Sequence, residues 1–248
     1  MTTGARPINY AFVRAPEFRS RIIINLAKGY LYCPIPKAAN TAWKVVLADE
    51  LPKELGAIHG KYAGFQYLAS ITPEQYARQQ NSLFKFIFVR DPYSRLLSTY
   101  KNKFENVLAA HTPQSTTNAF WAGFARYMKQ KITDAGQRET PDENITFSEF
   151  VHYICGIDYP QMDEHCHPQA LLARPDKIDY DFIGRLERLP EDVAHVFKRL
   201  NITKTFPTQE QIRFPGTNAS TMLDQYYTPK LKQMIREKFD MDFKQFGY

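Results

Sequence analysis

The sequence predicts an α/β protein whose central sheet is mainly parallel and is sandwiched between helices. Residues 83–90, LFKFIFVR, form a nearly continuous apolar run, as strands buried on both faces of a parallel sheet do. Short apolar strands alternate with helix-compatible segments along the chain, which is the order expected of such a fold. The length of 248 residues suits one domain with a full core. We therefore predict a single domain over residues 1–248.

Local patterns place the elements in chain order. Arg21–Asn25 and Tyr30–Cys33 flank a Lys28-Gly29 turn, which predicts a β-hairpin. Thr72 and Thr146 are suitable N-caps for the helices that follow them. The remaining predicted elements are helices over 42–51, 73–80, 93–104, 119–131, 150–155, 189–200 and 229–239, and strands over 83–90 and 178–185. We interpret residues 105–145 as an insertion that passes over the active site.

Charge and cysteine content narrow the possible functions. The net charge is +6 and the pI is about 9.1, which favours an anionic cofactor, a polyanionic partner or an acidic surface. No block of like charges resembles a nucleic-acid-binding arm. The three cysteines form neither a disulfide framework nor a zinc-site spacing, so a reducing compartment is the simpler expectation. No apolar run is long enough to span a bilayer and no signal peptide is evident, so we expect a soluble cytoplasmic protein.

The stretch LYCPIPKAANTAWK, residues 31–44, has the pattern of an anion-binding loop. An apolar strand ends at Pro34, a loop of small residues containing Lys37 follows, and a helix then begins. The first backbone N–H groups of a helix have no intrahelical partner, and the helix dipole there favours negative charge. The loop is not a Walker A motif. An ordinary strand–turn–helix corner with a solvated lysine is the alternative interpretation.

A second candidate anion site lies in FIFVRDPYSRLLSTYKNK, residues 86–103. Arg90 stands where a buried strand ends, and Ser98 lies two helical turns farther on. Ligands of open α/β sheets bind at this edge. The alternative is a structural ion pair between Arg90 and Asp91. Two separate anion sites in one domain suggest a ligand with two anionic ends, such as a nucleotide phosphorylated at both its 3′ and 5′ positions.

The chain resembles the carbohydrate sulfotransferases of the chondroitin 4-O-sulfotransferase and HNK-1 sulfotransferase type. The stretch LYCPIPKAANTAWK is similar to their 5′-phosphosulfate loop, and FIFVRDPYSRLLSTYKNKFE is similar to their 3′-phosphate motif. Two later segments, DEHCHPQALLARPDKIDYDFIGRLERL and YYTPKLKQMIREKFDMDFKQFGY, also resemble the family. The resemblance implies a three-layer α/β/α sandwich of the P-loop NTPase type. It also implies a sulfuryl donor, 3′-phosphoadenosine 5′-phosphosulfate (PAPS), and no metal.

Several departures from the family pattern agree with one another. The family's usual cysteines near Asn40, Ala173 and Asp176 are missing, as is its Golgi membrane anchor. These losses favour a cytosolic, bacterial-type relative. Cys166 replaces the family's usual tryptophan, which puts the contacts to the acceptor in doubt.

The resemblance assigns roles to individual residues. Lys37 is expected to contact the 5′-phosphosulfate, and Arg90 and Ser98 the 3′-phosphate. Thr217, Ser220 and Thr221 are weaker candidates for contacts to the nucleotide. The loop residues expected around the phosphosulfate are Pro36, Ala38, Ala39, Asn40, Thr41, Ala42 and Trp43, the last of which could equally be a core residue.

The candidate general bases lie in the EHCH stretch: His165, which matches the family position, then Glu164 and His167. In an extended segment the two histidines would share a face and Glu164 would point away from it. A metal site and a purely structural histidine are the alternatives. His59, Lys61, Arg174 and Arg185 could steer an anionic saccharide, although each could equally be a solvated or structural charge.

The predicted function is transfer of a sulfuryl group from PAPS to a hydroxyl of a carbohydrate. One alternative is a sulfotransferase that acts on a non-sugar hydroxyl, such as that of a lipid or small metabolite. A second alternative is a glycan- or nucleotide-binding relative without activity. The sequence leaves the acceptor and the oligomeric state open.

Overall fold

A computed structural model describes residues 17–53, 58–59, 64–105, 116–136, 145–212 and 216–248. Its strands are β1 (Ile23–Asn25), β2 (Tyr30–Cys33), β3 (Phe84–Val89) and β4 (Phe182–Arg185). Its α-helices are α1 (Phe18–Arg21), α2 (Asn40–Leu47), α3 (Pro73–Gln79), α4 (Pro92–Tyr100), α5 (Thr116–Asp134), α6 (Phe147–Gly156), α7 (Gln169–Ala173), α8 (Leu189–Leu200), α9 (Leu223–Tyr226), α10 (Pro229–Lys238) and α11 (Asp240–Phe246). A π-helical turn, Lys101–Glu105, continues α4.

The four strands form one mixed sheet in the order β1-β2-β3-β4. β1 pairs antiparallel with β2, which confirms the predicted hairpin. β2, β3 and β4 run parallel to one another, so the predicted α/β class with a mainly parallel sheet is confirmed. Because β2 and β3 are parallel neighbours, the loops that follow them leave the same edge of the sheet.

Apolar residues cover both faces of the sheet. One face is aromatic and packs Phe86 and Phe88 of β3 against Trp43 of α2. The other face is aliphatic and packs Ile87 and Val89 of β3 against residues that include Leu172 of α7. Burial on both faces is what the continuous apolar run of β3 predicts. A further core cluster joins α4, α5, α6 and α10 beside the sheet.

The two predicted N-caps agree with the structure, whereas several helix and strand boundaries differ. Thr72 and Thr146 both form complete capping boxes. α2 begins two residues earlier than predicted and ends at Leu47 rather than residue 51. Only the last four residues of the strand predicted over 178–185 pair with β3. None of the described helices is both long and apolar enough to cross a bilayer.

The predicted insertion is described in part. Residues 106–115 and 137–144 lie outside the described residues. The helix predicted over 119–131 falls within α5, and Met128 and Ile132 of α5 belong to the core cluster beside the sheet. That the segment passes over the active site stays a prediction.

Candidate active site

The loop between β2 and α2, which we call the lysine loop (residues 34–39), has an unusual backbone. Lys37 and Ala39 have φ values of +68° and +58°, in the left-handed region that non-glycine residues rarely adopt. Positive φ at alternate residues is a feature of backbone nests, which turn N–H groups toward a bound anion. α2 follows with Ala39 at its N-cap and no side-chain cap. The first N–H groups of α2 are therefore not satisfied by the helix itself.

Two arginines from the β3–α4 region hold the lysine loop through its carbonyl groups. Arg95 donates from Nε to the Pro36 carbonyl at 3.0 Å, and Arg90 donates from Nη1 to the Lys37 carbonyl at 3.4 Å. The two anion motifs predicted from sequence are thus in direct contact.

The Lys37 ammonium lies in a positive environment. Its Nζ donates to Asn102 Oδ1 at 3.1 Å, a neutral partner. Burial and the charges of Lys103, Arg90 and Arg95 lower the pKa of Lys37 to about 7. An anion bound at this position would be attracted by all four cations and would raise that pKa again.

Lys103 and Lys44 complete the cationic cluster around Lys37. Burial lowers the pKa of Lys103 to about 8, partly offset by Asp163 and Glu164. Burial also lowers the pKa of Lys44 to about 8, partly offset by Glu164. Cations outnumber acids around the lysine loop, which is the electrostatic pattern of a site for a multiply charged anion.

Arg90 and Ser98, the residues predicted to bind the 3′-phosphate, lie close to the lysine loop. Arg90 Nε donates to Ser94 Oγ at 2.9 Å, and Ser98 lies one helical turn beyond Ser94 on α4. Thr217 Oγ1 donates to Ser98 Oγ at 3.0 Å, so the predicted contact from the C-terminal part of the chain reaches this position. Asp91 caps α4 by accepting from the Ser94 N–H at 2.7 Å, so the alternative of a structural ion pair with Arg90 is not what the structure shows.

The EHCH stretch forms a turn rather than the extended segment in which the two histidines would share a face. We call residues 163–167 the histidine turn. The N–H groups of Cys166 and His167 both donate to the Asp163 carbonyl, at 2.8 and 3.1 Å. Alternation of faces therefore does not apply, and His165 and His167 have separate environments. Asp163 stabilises the turn through its own side chain, which accepts from the His165 N–H.

His165 has the surroundings of a general base. Its Nδ1 lies 2.7 Å from Asp163 Oδ1, and its backbone N–H donates to the same oxygen at 2.9 Å. Burial would raise the pKa of Asp163, but the hydrogen bond and charge of His165 lower it, so the carboxylate is ionised. In the neutral form of the ring, a hydrogen bond from Nδ1–H to Asp163 makes Nε2 the acceptor. Thr99 holds the turn by donating to the His165 carbonyl at 3.1 Å.

His167 and Glu164 have structural surroundings instead. His167 is buried, its pKa is lowered by burial and by Arg95 and Arg21, and its Nε2 has no hydrogen-bond partner. An imidazole enclosed in this way is poorly placed to take a proton from a substrate. Glu164 lies 3.8 Å from Arg21 and faces the cationic cluster. Its contacts favour a role as a counter-ion.

His59 lies beside the start of α2. Its Nε2 is 3.1 Å from Thr41 Oγ1. Desolvation and the charges of Lys44, His165 and Lys103 lower its pKa although the residue is exposed, so its imidazole is neutral at pH 7. The contact to Thr41 places His59 beside the first turn of α2, where a contact to an acceptor is feasible.

Other predicted loop and nucleotide residues divide into two groups. Trp43 is fully buried among the aromatic residues of the sheet face, so the core interpretation is correct for it. Ser220 is exposed and lies in a 3₁₀ turn after Thr217. Thr221 donates to the Asn218 carbonyl within that turn. The loop residues whose backbone lines the start of α2 are Ala38, Ala39, Asn40, Thr41 and Ala42.

The arginines predicted to steer a saccharide have partners elsewhere. Arg174 forms a two-point ion pair with Asp176, at 2.7 and 2.6 Å. Arg185 donates to the Phe246 carbonyl and stacks on Tyr248. Neither contact places an arginine side chain in the cationic cluster. That Arg174 and Arg185 steer an anionic saccharide stays a prediction. Lys61 lies outside the described residues.

Sequence reasoning overlooked several residues of this site. Asp163 orients His165, Asn102 accepts from Lys37, and Lys103 carries charge between them. An aspartate two residues before a histidine is a local turn signal that could have identified Asp163. Asn102 and Lys103 belong to the π-helical turn, a feature that often marks functional sites but has no simple sequence signature. Among the described residues, no group of three metal-ligating side chains is present.

Comparison with known proteins gives consistent matches over most of the chain. Residues 20–248 match the model described as the sulfotransferase family. Carbohydrate sulfotransferase 14 of Danio rerio is 32% identical over 92% of this chain and 62% of its own length. Carbohydrate sulfotransferase 14 of Homo sapiens is 30% identical over 92% of this chain and 60% of its own length. Carbohydrate sulfotransferase 10 of Xenopus laevis is 28% identical over 92% of this chain and 67% of its own length.

The chain spans about three fifths of the length of the two type 14 relatives. No solved structure gives a significant match to it.

Proposed function

This chain belongs to the sulfotransferase family, and from that premise we propose that it transfers a sulfuryl group from PAPS to a hydroxyl group of a carbohydrate. The observation that carries the proposal is the placement of Lys37 and Arg90 at neighbouring strand ends, in contact through the Lys37 carbonyl. The names of the relatives indicate the carbohydrate acceptor. We propose the three-layer, P-loop-like arrangement for the fold because helices pack on both faces of the sheet.

The residues of the site fit such a donor. Burial lowers the pKa values of Lys37, Lys44 and Lys103, and a bound anion would offset that effect by favouring their protonated forms. The uncapped start of α2 adds backbone donors. When bound, the donor would supply the sulfuryl group and a phosphate as the leaving group.

We assign the two ends of the donor to the two corners of the sheet. Lys37 and the start of α2 would hold the 5′-phosphosulfate. Arg90 and Ser98, with Thr217 beside Ser98, would hold the 3′-phosphate. Arginine suits the 3′ position because its planar fork can donate two parallel hydrogen bonds to a phosphate.

The reaction then needs one base and one cation from the protein. Nε2 of His165 takes the proton of the acceptor hydroxyl while a bond forms between that oxygen and sulfur. The bond between sulfur and the bridging phosphate oxygen breaks, and its electron pair stays on that oxygen. The Lys37 ammonium stabilises the charge that develops there. Asp163 stabilises the imidazolium that forms and keeps the ring in place.

We propose an anionic polysaccharide or glycan as the acceptor class. The net charge of +6 and the cationic cluster that includes Lys37, Lys44 and Lys103 support this choice. Lysines of the cluster that are not engaged by the donor would attract carboxylate or sulfate groups of such a chain.

A transfer assay tests the proposal. Wild-type protein is incubated with ³⁵S-labelled PAPS and three acceptors: a desulfated uronic-acid polysaccharide, a neutral oligosaccharide and a simple phenol. We expect label in a saccharide and release of adenosine 3′,5′-bisphosphate. Label in the phenol alone would show that the acceptor is a non-sugar hydroxyl and not a carbohydrate. Nucleotide binding without transfer to any acceptor would indicate a non-catalytic relative, and no nucleotide binding would overturn the proposal.

A further inference from the structure

Arg95 connects the two halves of the site. It belongs to α4 and is only 2% exposed. Its Nε donates to the Pro36 carbonyl of the lysine loop at 3.0 Å, and its Nη1 donates to the His167 carbonyl of the histidine turn at 2.7 Å. One rigid guanidinium therefore joins two segments that are more than a hundred residues apart in the chain.

Arg21 makes a similar connection at another point of the same two segments. Its Nη2 donates to the Pro34 carbonyl of the lysine loop at 3.1 Å. The same nitrogen lies 3.8 Å from Glu164 Oε2 in the histidine turn. Arg21 is also buried, with 8% of its surface exposed. The second contact is long, so we expect Arg21 to hold the segments less firmly than Arg95 does.

A purely structural explanation accounts poorly for these residues. A buried guanidinium is costly, and apolar side chains of similar size often stabilise a fold as well or better. Among the described residues Arg95 forms no ion pair within 4.0 Å, and burial lowers its pKa only to about 10, so it remains charged. What an apolar residue cannot supply is a rigid fork that donates to two carbonyl groups at once.

We propose that Arg95, assisted by Arg21, is a positioning residue that fixes the distance between Lys37 on the lysine loop and His165 on the histidine turn. The inference rests on the proposed function, because that distance matters only if one residue stabilises the leaving oxygen while the other takes the acceptor proton. Neither arginine is assigned a contact with the reacting atoms.

The proposal separates two reactions of the same site. Transfer to a sugar needs Lys37 and His165 in register, so a displacement of about 1 Å can lower it by about 100-fold. Slow transfer of the sulfuryl group to water uses Lys37 but no positioned acceptor or base. Loss of the connection should therefore lower sugar transfer far more than it lowers donor hydrolysis or nucleotide binding.

The test compares Arg95→Lys with wild type, because lysine keeps the charge but cannot donate to both carbonyls. We expect kcat for sugar transfer to fall by between about 10-fold and 100-fold. Donor hydrolysis and the Kd of adenosine 3′,5′-bisphosphate should change by less than about threefold. Arg21→Lys should show the same pattern with a smaller loss of kcat.

Arg19→Lys is the matched control. Arg19 Nη2 also donates to two backbone carbonyls, those of Leu68 and Ile71, but both lie outside the site. If Arg95→Lys behaves like this control, the inference is wrong. A parallel loss of transfer, hydrolysis, nucleotide binding and melting temperature would also overturn it, because that pattern indicates a general structural role.

Two further points keep the outcome clear. If Arg95→Lys does not fold, the same comparison of transfer with hydrolysis is made with Arg21→Lys and Thr99→Val. Thr99 is suitable because it also holds the histidine turn, through the His165 carbonyl. If wild type itself neither binds the nucleotide nor transfers sulfate, the proposed function has failed. If wild type transfers sulfate normally and Arg95→Lys is equally active, the positioning role is wrong and the proposed function stands.

Discussion

The two strand–loop–helix corners of the sheet start their helices in different ways. At the β2–α2 corner the helix begins at Ala39 without a side-chain cap. At the β3–α4 corner Asp91 caps the helix through the Ser94 N–H at 2.7 Å. The first corner leaves backbone donors without an intrahelical partner, whereas the second satisfies its own and contributes side chains instead.

The cations of the two corners differ in how their charge responds to a bound anion. Lys37 is held by one neutral amide and has a pKa of about 7, so its ammonium responds strongly to a nearby anion. Arg90 is anchored by Ser94 Oγ and by the Lys37 carbonyl, and it remains a fixed cation. The comparison suggests that the first corner serves the end of the donor where charge changes. The second corner holds the end where charge stays constant.

The strongest test of this division is Lys37→Met. Removal of the ammonium should lower kcat by on the order of 10³-fold, the size expected when a group that stabilises developing charge is lost. A transfer assay measures this, and Lys230→Met on the exposed side of α10 serves as the control. Normal turnover by Lys37→Met would mean that another residue stabilises the leaving oxygen.

The next largest effect should come from the histidine turn, which belongs to neither corner. His165→Ala should lower kcat for sugar transfer by about 100-fold and leave nucleotide affinity nearly unchanged. Asp163→Asn should lower kcat by about 10-fold to 100-fold, since the ring loses its orientation. The double variant should be no slower than His165→Ala, because the two residues act as a unit.

His152→Ala is the control, because the His152 ring interacts with the carbonyl and hydroxyl of Ser148 within its own helix α6. Additive losses in the double variant would contradict a shared role for Asp163 and His165. Unchanged turnover in His165→Ala would assign the base to another group, with the neutral His59 as the first candidate.

Much of this site follows from local sequence patterns. The apolar run of β3 predicts its own burial because each residue must be apolar when both faces are covered. The caps at Thr72 and Thr146 involve residues three positions apart, so the sequence contains the whole interaction. Lys37 and Arg90 were found because polar residues that follow buried strands gather at one sheet edge.

The parts that sequence did not reveal depend on contacts between distant segments. Arg95 contacts carbonyl groups, which carry no side-chain signature, in segments 59 and 72 residues away. The histidine turn depends on hydrogen bonds that Asp163 makes, and the alternation of residue types in the EHCH stretch does not reveal them. The π-helical turn at Lys101–Glu105 differs from an α-helix by its hydrogen-bond pattern and not by its composition.

Arg90→Ala tests the second corner. Loss of charge-assisted hydrogen bonds worth about 1.5–3 kcal/mol should weaken binding of adenosine 3′,5′-bisphosphate by about 10-fold to 100-fold. Isothermal calorimetry measures this, with adenosine 5′-phosphate as the matched ligand. The ligand without a 3′-phosphate should bind wild type and variant equally. An equal loss for both ligands would show that Arg90 does not recognise the 3′-phosphate.

A smaller effect should appear in the pH dependence of nucleotide binding. The pKa values of Lys37 and Lys103 in the free protein are about 7 and 8. A bound anion favours their protonated forms, so affinity should be highest below pH 7 and fall as pH rises through this range. We expect a loss of about 5-fold to 10-fold between pH 7 and pH 9, with proton uptake on binding at pH 8.

Calorimetry in two buffers of different ionisation enthalpy measures that uptake. Lys37→Met should reduce both the pH dependence and the number of protons taken up. An affinity that is constant from pH 7 to pH 9 would show that the free lysines are fully charged and that the first corner does not respond to its ligand.

The smallest expected effect is that of Thr217→Val, which removes the hydrogen bond to Ser98 Oγ at 3.0 Å. A neutral hydrogen bond contributes about 0.5–1 kcal/mol, so the Kd of adenosine 3′,5′-bisphosphate should rise by about twofold to fivefold. Thr221→Val is the matched control, because the Thr221 hydroxyl donates to the Asn218 carbonyl within the same turn. A loss as large as that of Arg90→Ala would mean that Thr217 contacts the phosphate directly, and the second corner would then consist of side chains from both α4 and the C-terminal part of the chain.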